Sequence, residues 1–141
     1  MLTVLVLCTG NSCRSQMAEG YLRYLSNGKV AVYSAGIEAH GVNPKAIEVM
    51  KEDGIDISRH TSNHIDEYKS ITFDLILTVC DHAKENCPYF PSKAIRLHKN
   101  FPDPAKVTGT GTEIMDAFRA TRDQIKAYTA SLLQSPHLNQ A

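Results

Sequence analysis

Apolar positions follow two rhythms along the chain, and together they predict alternating strands and helices. Leu2 to Leu7 is one continuous apolar run, the pattern of a parallel strand covered on both faces. From Cys13 to about Ser26 the rhythm changes. Ala18, Leu22 and Leu25 recur at i, i+4 and i+7, a helical stripe closed by Asn27-Gly28. Val30 to Ala35 returns to strand, so the first 35 residues read as a βαβ unit with a right-handed crossover. Asn43-Pro44 supplies an N-cap and a first helical residue for the next helix, and Gly54 stops it. Residues 55–72 are polar and mixed, a loop feeding a short helix. Phe73 to Val79 is a third strand that runs into Cys80. Residues 81–91 read as loop or short helix, broken by Pro88 and Pro91. Ala94 to His98 is a short fourth strand. Two prolines keep residues 100–104 out of helix and sheet. Thr110 and Glu113 have capping-box spacing, and Ile114, Phe118, Ile125, Tyr128 and Leu132 mark one face of a last helix to about Leu133. The tail from Ser135 is expected to fray. The alternation predicts an α/β fold: a four-stranded parallel sheet flanked by helices, in a single domain spanning 1–141.

Composition narrows the function. The chain has 141 residues, 43% hydrophobic and 21% charged, with 15 basic and 15 acidic residues and no formal net charge. A general nucleic-acid or membrane surface is not expected of such a balance, so any anionic ligand must be attracted locally. The first seven residues are too short a run for a signal peptide or a membrane span, and a cytoplasmic location is expected. There the four cysteines would rest reduced, which leaves catalysis, redox work or metal binding as their uses.

Local chemistry concentrates where the first strand ends. Cys8-Thr9-Gly10-Asn11-Ser12-Cys13-Arg14-Ser15 is a C-x5-R loop between a strand and a helix. Backbone N–H groups gather there and, with the positive end of the helix, make an anion site. Gly10 lets the backbone curl, and the Arg14 guanidinium can grip two oxygens of a tetrahedral oxyanion. The same field is expected to pull the Cys8 thiol below its ordinary ~8.5. Ser15 is expected to hydrogen-bond Cys8 and steady it as a leaving group. In parallel α/β sheets ligands bind beyond the carboxyl ends of the strands. Cys8 and Cys80 both stand at such ends, and Asp103 follows the last strand, so the three can converge.

These residues resemble the arsenate reductases of the low-molecular-weight tyrosine-phosphatase fold. The resemblance rests on Cys-Thr-Gly-Asn-Ser-Cys-Arg-Ser-Gln-Met-Ala-Glu-Gly at 8–20, and on Tyr33 to Glu38 and Gly41 to Ala46. His60-Thr61-Ser62, Cys80, Cys87-Pro88 and Asp103-Pro104 extend it over almost the whole chain. It implies that Cys8 attacks arsenate held by Arg14 and the loop from Thr9 to Ser15, with Asp103 as the general acid. It implies a relay in which Cys80 displaces arsenite by forming a disulfide with Cys8. Cys87 then takes over Cys80, and a dithiol protein such as thioredoxin, or a glutaredoxin–glutathione route, restores the thiols. Arsenic detoxification follows from it, and a monomer is the default expectation. A disulfide needs Cα atoms roughly 4.4–6.8 Å apart, so residues 80–91 are expected to move. Asn11, Glu19 and Ser34 match potassium ligands of some relatives, but Asn63 stands where a further acidic ligand is expected. No tightly bound cofactor is implied. Zinc is disfavoured, because His60, His64, Cys80, His82 and Cys87 lack compact ligand spacing.

Two rivals share the loop. A tyrosine phosphatase needs Cys8, Arg14 and Asp103 but has no use for Cys80 and Cys87. It usually carries aromatics beside the Asp-Pro pair, where this chain has Ala105-Lys106. A non-catalytic anion sensor would not need the full set.

Overall fold

The computed structural model describes residues 1–81 and 94–138. Along the chain run β1 (Leu2–Cys8), α1 (Arg14–Leu25), β2 (Val30–Gly36) and α2 (Pro44–Glu52). A 3-10 turn (Ile65–Tyr68), β3 (Leu75–Thr78), β4 (Ile95–His98), a second 3-10 turn (Pro104–Lys106) and α3 (Gly111–Gln134) follow. The strands form one parallel sheet in the order β2-β1-β3-β4, as the alternation predicts. Central β1 is apolar because neighbours flank it in the sheet and side chains cover both its faces: Val4, Leu5, Val6 and Leu7 are fully buried.

This order puts a switch point at β1. The chain leaves β1 toward β2 on one side and later returns to β3 on the other. The crevice at such a reversal opens over the carboxyl end of the strand, where Cys8 is the last residue.

Several boundaries and faces differ from the sequence reading. β3 starts at Leu75, not Phe73. Phe73 instead packs edge-on against Tyr33, and the Asp74 carboxylate accepts the Thr3 N–H at 2.8 Å. Cys80 lies two residues past β3, held near the sheet because Val79 N–H donates to Leu7 O at 2.9 Å. In α1 the apolar stripe understates burial: every residue from Arg14 to Leu22 is buried, Gln16 and Glu19 included. The sheet covers one side of this helix and α2, α3 and the 55–65 loop cover the rest. α3 buries two hydroxyls as well as its apolar face. Thr129 donates to Ile125 O at 2.8 Å and Thr121 to Pro102 O at 3.3 Å. The tail does not fray at Ser135. Its amide bonds Leu132 O, and Leu138 is buried, so apolar contact holds the chain at least that far. The expected loop at 81–91 falls almost wholly outside the described residues, and so does Cys87.

Candidate active site

The loop after β1 is shaped by where its carbonyls go. Cys8 O accepts from Ile37 N, Thr9 O from Glu38 N, Gly10 O from His40 N and Ser12 O from Asn43 N, at 2.8–3.2 Å. Asn11 O accepts from Gln16 Nε2, and Cys13 O from Met17 N inside α1. Six consecutive carbonyls are thus occupied by donors at the rim. The curl that turns them there leaves the amide edge of the loop facing its centre, the arrangement of an anion-binding nest. The left-handed residue of this curl is Asn11, with φ of 46°, rather than Gly10. Asparagine tolerates that region because its short polar side chain bonds locally. Gly10 lets the exposed His40 ring sit close over the loop: a Cβ there would meet His40 Nδ1 at 2.6 Å, and the ring would have to turn away.

Asn11 is fully buried and pins the loop from beneath. Its Nδ2 donates to Ser34 O at 3.2 Å, and its Oδ1 accepts from Ser15 Oγ at 2.8 Å and Gln16 Nε2 at 3.0 Å. The Ser15 hydroxyl therefore serves Asn11 and not Cys8, which corrects the expected role. An i, i+4 step on α1 sets the hydroxyl over the loop it caps, so Ser15 holds the cradle and does not touch the sulfur. Gln16 also bonds Thr61 O and accepts from His60 Nδ1 at 3.0 Å. Burial holds the His60 imidazole below its ordinary value even beside Glu19, which suits a neutral ring.

Cys8 and Cys80 come together from residues 72 positions apart. The Cys80 thiol stands close enough to Cys8 to act on its acidity, and lies 3.2 Å from Thr9 Oγ1. This pairing overturns the expectation of an acidic Cys8. The Cys80 thiol and burial push the Cys8 thiol well above its ordinary value, against the lowering pull of Arg14 and the Thr9 amide. Two adjacent thiols titrate as a unit, and the second charge is opposed by the first. The activating field predicted from the loop is present, but Cys80 masks it.

Arg14 and Asp103 meet at the loop. Arg14 Nη1 donates to Phe101 O at 3.0 Å, and Nη2 lies 3.6 Å from Asp103 Oδ2. Asp103 also caps the turn Pro104–Lys106 by accepting the Ala105 N–H at 3.0 Å. Proline at 104 cannot donate, so the free carboxylate takes the next amide and stays at the mouth of the loop.

Asn11, Glu19 and Ser34 are neighbours, as the potassium comparison expects. Yet the buried Glu19 carboxylate is already shared: Ser34 Oγ donates at 2.6 Å, Arg23 Nε at 3.0 Å, and His60 Nε2 lies at 3.5 Å. Asn11 turns its Nδ2 toward Ser34 O and not an oxygen toward the gap. As arranged, the set does not fit a potassium ion, and no step below is routed through one.

Cys13 caps α1 without a side-chain bond, and burial pushes its thiol up to about 12, Asp103 adding to the shift and Arg14 opposing it. The native state thus keeps protons that an unfolded cysteine releases near ~8.5. Above that value the unfolded state binds fewer protons, so stability falls as pH rises toward 12. Cys13 alone should contribute a slope of about 1.4 kcal/mol per pH unit in that window. Urea midpoints measured from about pH 8 to 11 should fall, and Cys13→Ala should flatten part of the decline. A flat profile in the parent protein would refute the burial argument.

Sequence reading gave no role to Gln16, Asp81 or His98. Gln16 had one signal: a polar residue in the first turn of a helix that opens on the loop. Asp81 and His98 had none.

The family described as low molecular weight phosphotyrosine protein phosphatase matches residues 3–140. An arsenate reductase of Halalkalibacterium halodurans is 55% identical over 119 residues, which covers 84% of this chain and 86% of that protein. A solved arsenate reductase in an oxidised state superposes with a TM-score of 0.81 at 34% identity, covering 94% of this chain and 97% of the other. A low molecular weight protein tyrosine phosphatase from T. tengcongensis superposes with a TM-score of 0.77 at 25% identity, over 95% and 99%. The fold is common to both groups, the second cysteine beside the loop is what a reductase needs, and the higher identities are to reductases. This chain belongs to the low molecular weight phosphotyrosine protein phosphatase family, in its arsenate reductase branch.

Proposed function

We propose that the protein reduces arsenate to arsenite by attack of Cys8 followed by a thiol relay through Cys80 and Cys87. The carrying observation is the Cys80 thiol set beside Cys8 and 3.2 Å from Thr9 Oγ1 of the same loop. Hydrolysis of a phosphate ester has no use for it. Arsenate seats on the loop amides of residues 9–14 and the Arg14 fork, as a tetrahedral oxyanion. Its arrival brings negative charge to the centre of the loop and draws Arg14 from Phe101 O toward the ligand. Cys8 Sγ attacks arsenic, its thiol proton passing to a non-departing arsenate oxygen, while Asp103 acts as general acid to the departing oxygen. The products are a Cys8–S–As(V) adduct and water.

Cys80 as thiolate then attacks Cys8 Sγ. The S–S bond forms, the S–As bond breaks, and its electron pair stays on arsenic, which leaves as arsenite in the +3 state. Two thiols supply the two electrons. Cys87 attacks Cys80 next, freeing Cys8 as a thiol and moving the disulfide to Cys80–Cys87. Support for that step is the resemblance alone, since Cys87 lies outside the described residues. An external dithiol protein, thioredoxin in our reading, returns both thiols. Reduced resting cysteines suit the cytoplasm. No described helix is long and apolar enough to cross a membrane.

The test is arsenate-dependent NADPH oxidation with thioredoxin and thioredoxin reductase, for the parent and for Cys8→Ser, Cys80→Ser and Cys87→Ser. The parent should turn over and all three variants should stop. Full multiple turnover by the last two would overturn the relay. Hydrolysis of an aryl phosphate through Cys8, with no arsenate reduction, would make the protein a phosphatase.

A further inference from the structure

His98 ends β4, and its imidazole reaches both flanks of Cys80. Nδ1 lies 2.7 Å from Thr78 Oγ1, and Nε2 lies 2.7 Å from Asp81 Oδ1. Thr78 stands two residues before Cys80 and Asp81 one after, so one ring ties the two ends of the short arch that carries the thiol. The tie closes in either protonation state. A ring with its proton on Nε2 donates to Asp81 and accepts the Thr78 hydroxyl. A doubly protonated ring donates to both, and the Thr78 hydroxyl then turns to Leu97 O at 3.4 Å.

Neighbouring bonds hold the same arch. Lys99 N donates to Thr78 O at 2.9 Å and Phe101 N to Val79 O at 3.1 Å. Asp81 N donates to Asn100 Oδ1 at 3.2 Å. On the opposite side Thr9 Oγ1 meets Cys80 Sγ. The Asp81 side chain is 69% exposed, so its pairing with His98 is screened and adds little to stability. What it provides is orientation. A nucleophile that must meet one particular sulfur along the axis of the bond it breaks is sensitive to such placement.

We propose that His98, together with Asp81, is a positioning residue for the second chemical step, holding Cys80 where its sulfur can attack Cys8. The inference rests on the reductase reading. In that step Cys80 Sγ bonds Cys8 Sγ, the Cys8–arsenic bond breaks, and arsenic keeps the electron pair and departs as arsenite. His98 touches none of the reacting atoms.

The test uses the full chain carrying Cys87→Ser, so that the Cys8–Cys80 disulfide accumulates. Stoichiometric arsenate is added without reductant, and arsenite release and disulfide formation are followed by mass spectrometry. Aryl-phosphate hydrolysis, which uses Cys8 but not Cys80, is measured beside it. His98→Ala should slow disulfide formation by about tenfold or more, and His98→Gln should recover part of the loss. Asp81→Ala, which changes only an exposed side chain and so tests the tie without risk to folding, should slow it at least about threefold. Aryl-phosphate hydrolysis should not fall by more than about twofold in either, and rises where Cys80 is drawn away from Cys8, a separation that a merely structural role would not produce. Unchanged disulfide formation in Asp81→Ala or His98→Ala overturns the proposal, as does an equal fall of both activities. Failure of the parent to release arsenite would overturn the reductase reading and this inference with it. Normal release by the parent and by all variants overturns this inference alone.

Discussion

Cys80→Ala is expected to end arsenate turnover and at the same time to make Cys8 more acidic. The first effect follows from the relay: without Cys80, the thiol that displaces arsenite is gone. Turnover should fall by on the order of 10⁴-fold or more, the scale seen when a residue acting in a catalytic unit is removed. The second effect follows from electrostatics. The largest influence raising the Cys8 thiol is its hydrogen bond with Cys80, ahead of burial, while Arg14 and the Thr9 amide pull it down. Alanine removes both the thiol contact and the like charge that Cys80 can develop. The lowering influences remain, so the midpoint of Cys8 ionisation shifts to lower pH. Site-resolved alkylation of Cys8 against pH measures it, and hydrolysis of an aryl phosphate near neutral pH should rise with the thiolate fraction. An unmoved alkylation profile would mean that burial, and not Cys80, keeps Cys8 protonated. This coupling gives Cys80 two uses. In the proposed relay it restrains Cys8 at rest, then attacks the adduct once Cys8 has bonded arsenic.

Gly36→Ala should cost the protein about 3 kcal/mol and its anion site together. Gly36 ends β2 beside Cys8, under the loop. A Cβ there would stand 2.1 Å from Glu38 O and 2.7 Å from both Asn11 N and Thr9 O. All three are backbone atoms and cannot rotate away. The loop would have to lift, giving up the Glu38 N–Thr9 O and Gly36 N–Asn63 O bonds, each of 2.8 Å. Overpacking costs about 1–3 kcal/mol where side chains can yield, and the rigid surroundings place this change at the upper end. For a chain of this size that is a fall of about 10 °C in Tm. Calorimetry and the reductase assay should fail together. A Tm within about 2 °C of the parent, with activity retained, would show that the β2–loop contact can relax.

The two cysteines show where reading a sequence stops. Cys8 is marked by its own neighbourhood: an apolar run before it, a loop of small polar residues, then arginine and a helix. Each of these is a local signal, because strand, curl and helix start are properties of adjacent residues. The same holds for the Asn43-Pro44 helix start and the Thr110 cap, whose hydroxyl accepts the Glu113 N–H at 3.1 Å. Cys80 ends an apolar run as any small core residue could, and it was raised above that by its place at the same sheet edge as Cys8 and by the resemblance. Its contact with Cys8, and the reversal of the Cys8 acidity that follows, need β1 and β3 to pair.

Gln16, Asp81 and His98 carry the same lesson further. Nothing beside Gln16 says that it is buried on Asn11, since the cover over α1 comes from α2, α3 and the 55–65 loop. His98 looks like one polar position in a short strand. Alternating apolar runs, caps and a C-x5-R loop were enough to predict the parallel sheet, its helices and the loop that begins at Cys8, because backbone preference and hydrophobic period act over a few residues. Partners of buried polar groups, and the charge state of a thiol, depend on what the folded chain brings within about 4 Å, and only the tertiary structure decides that.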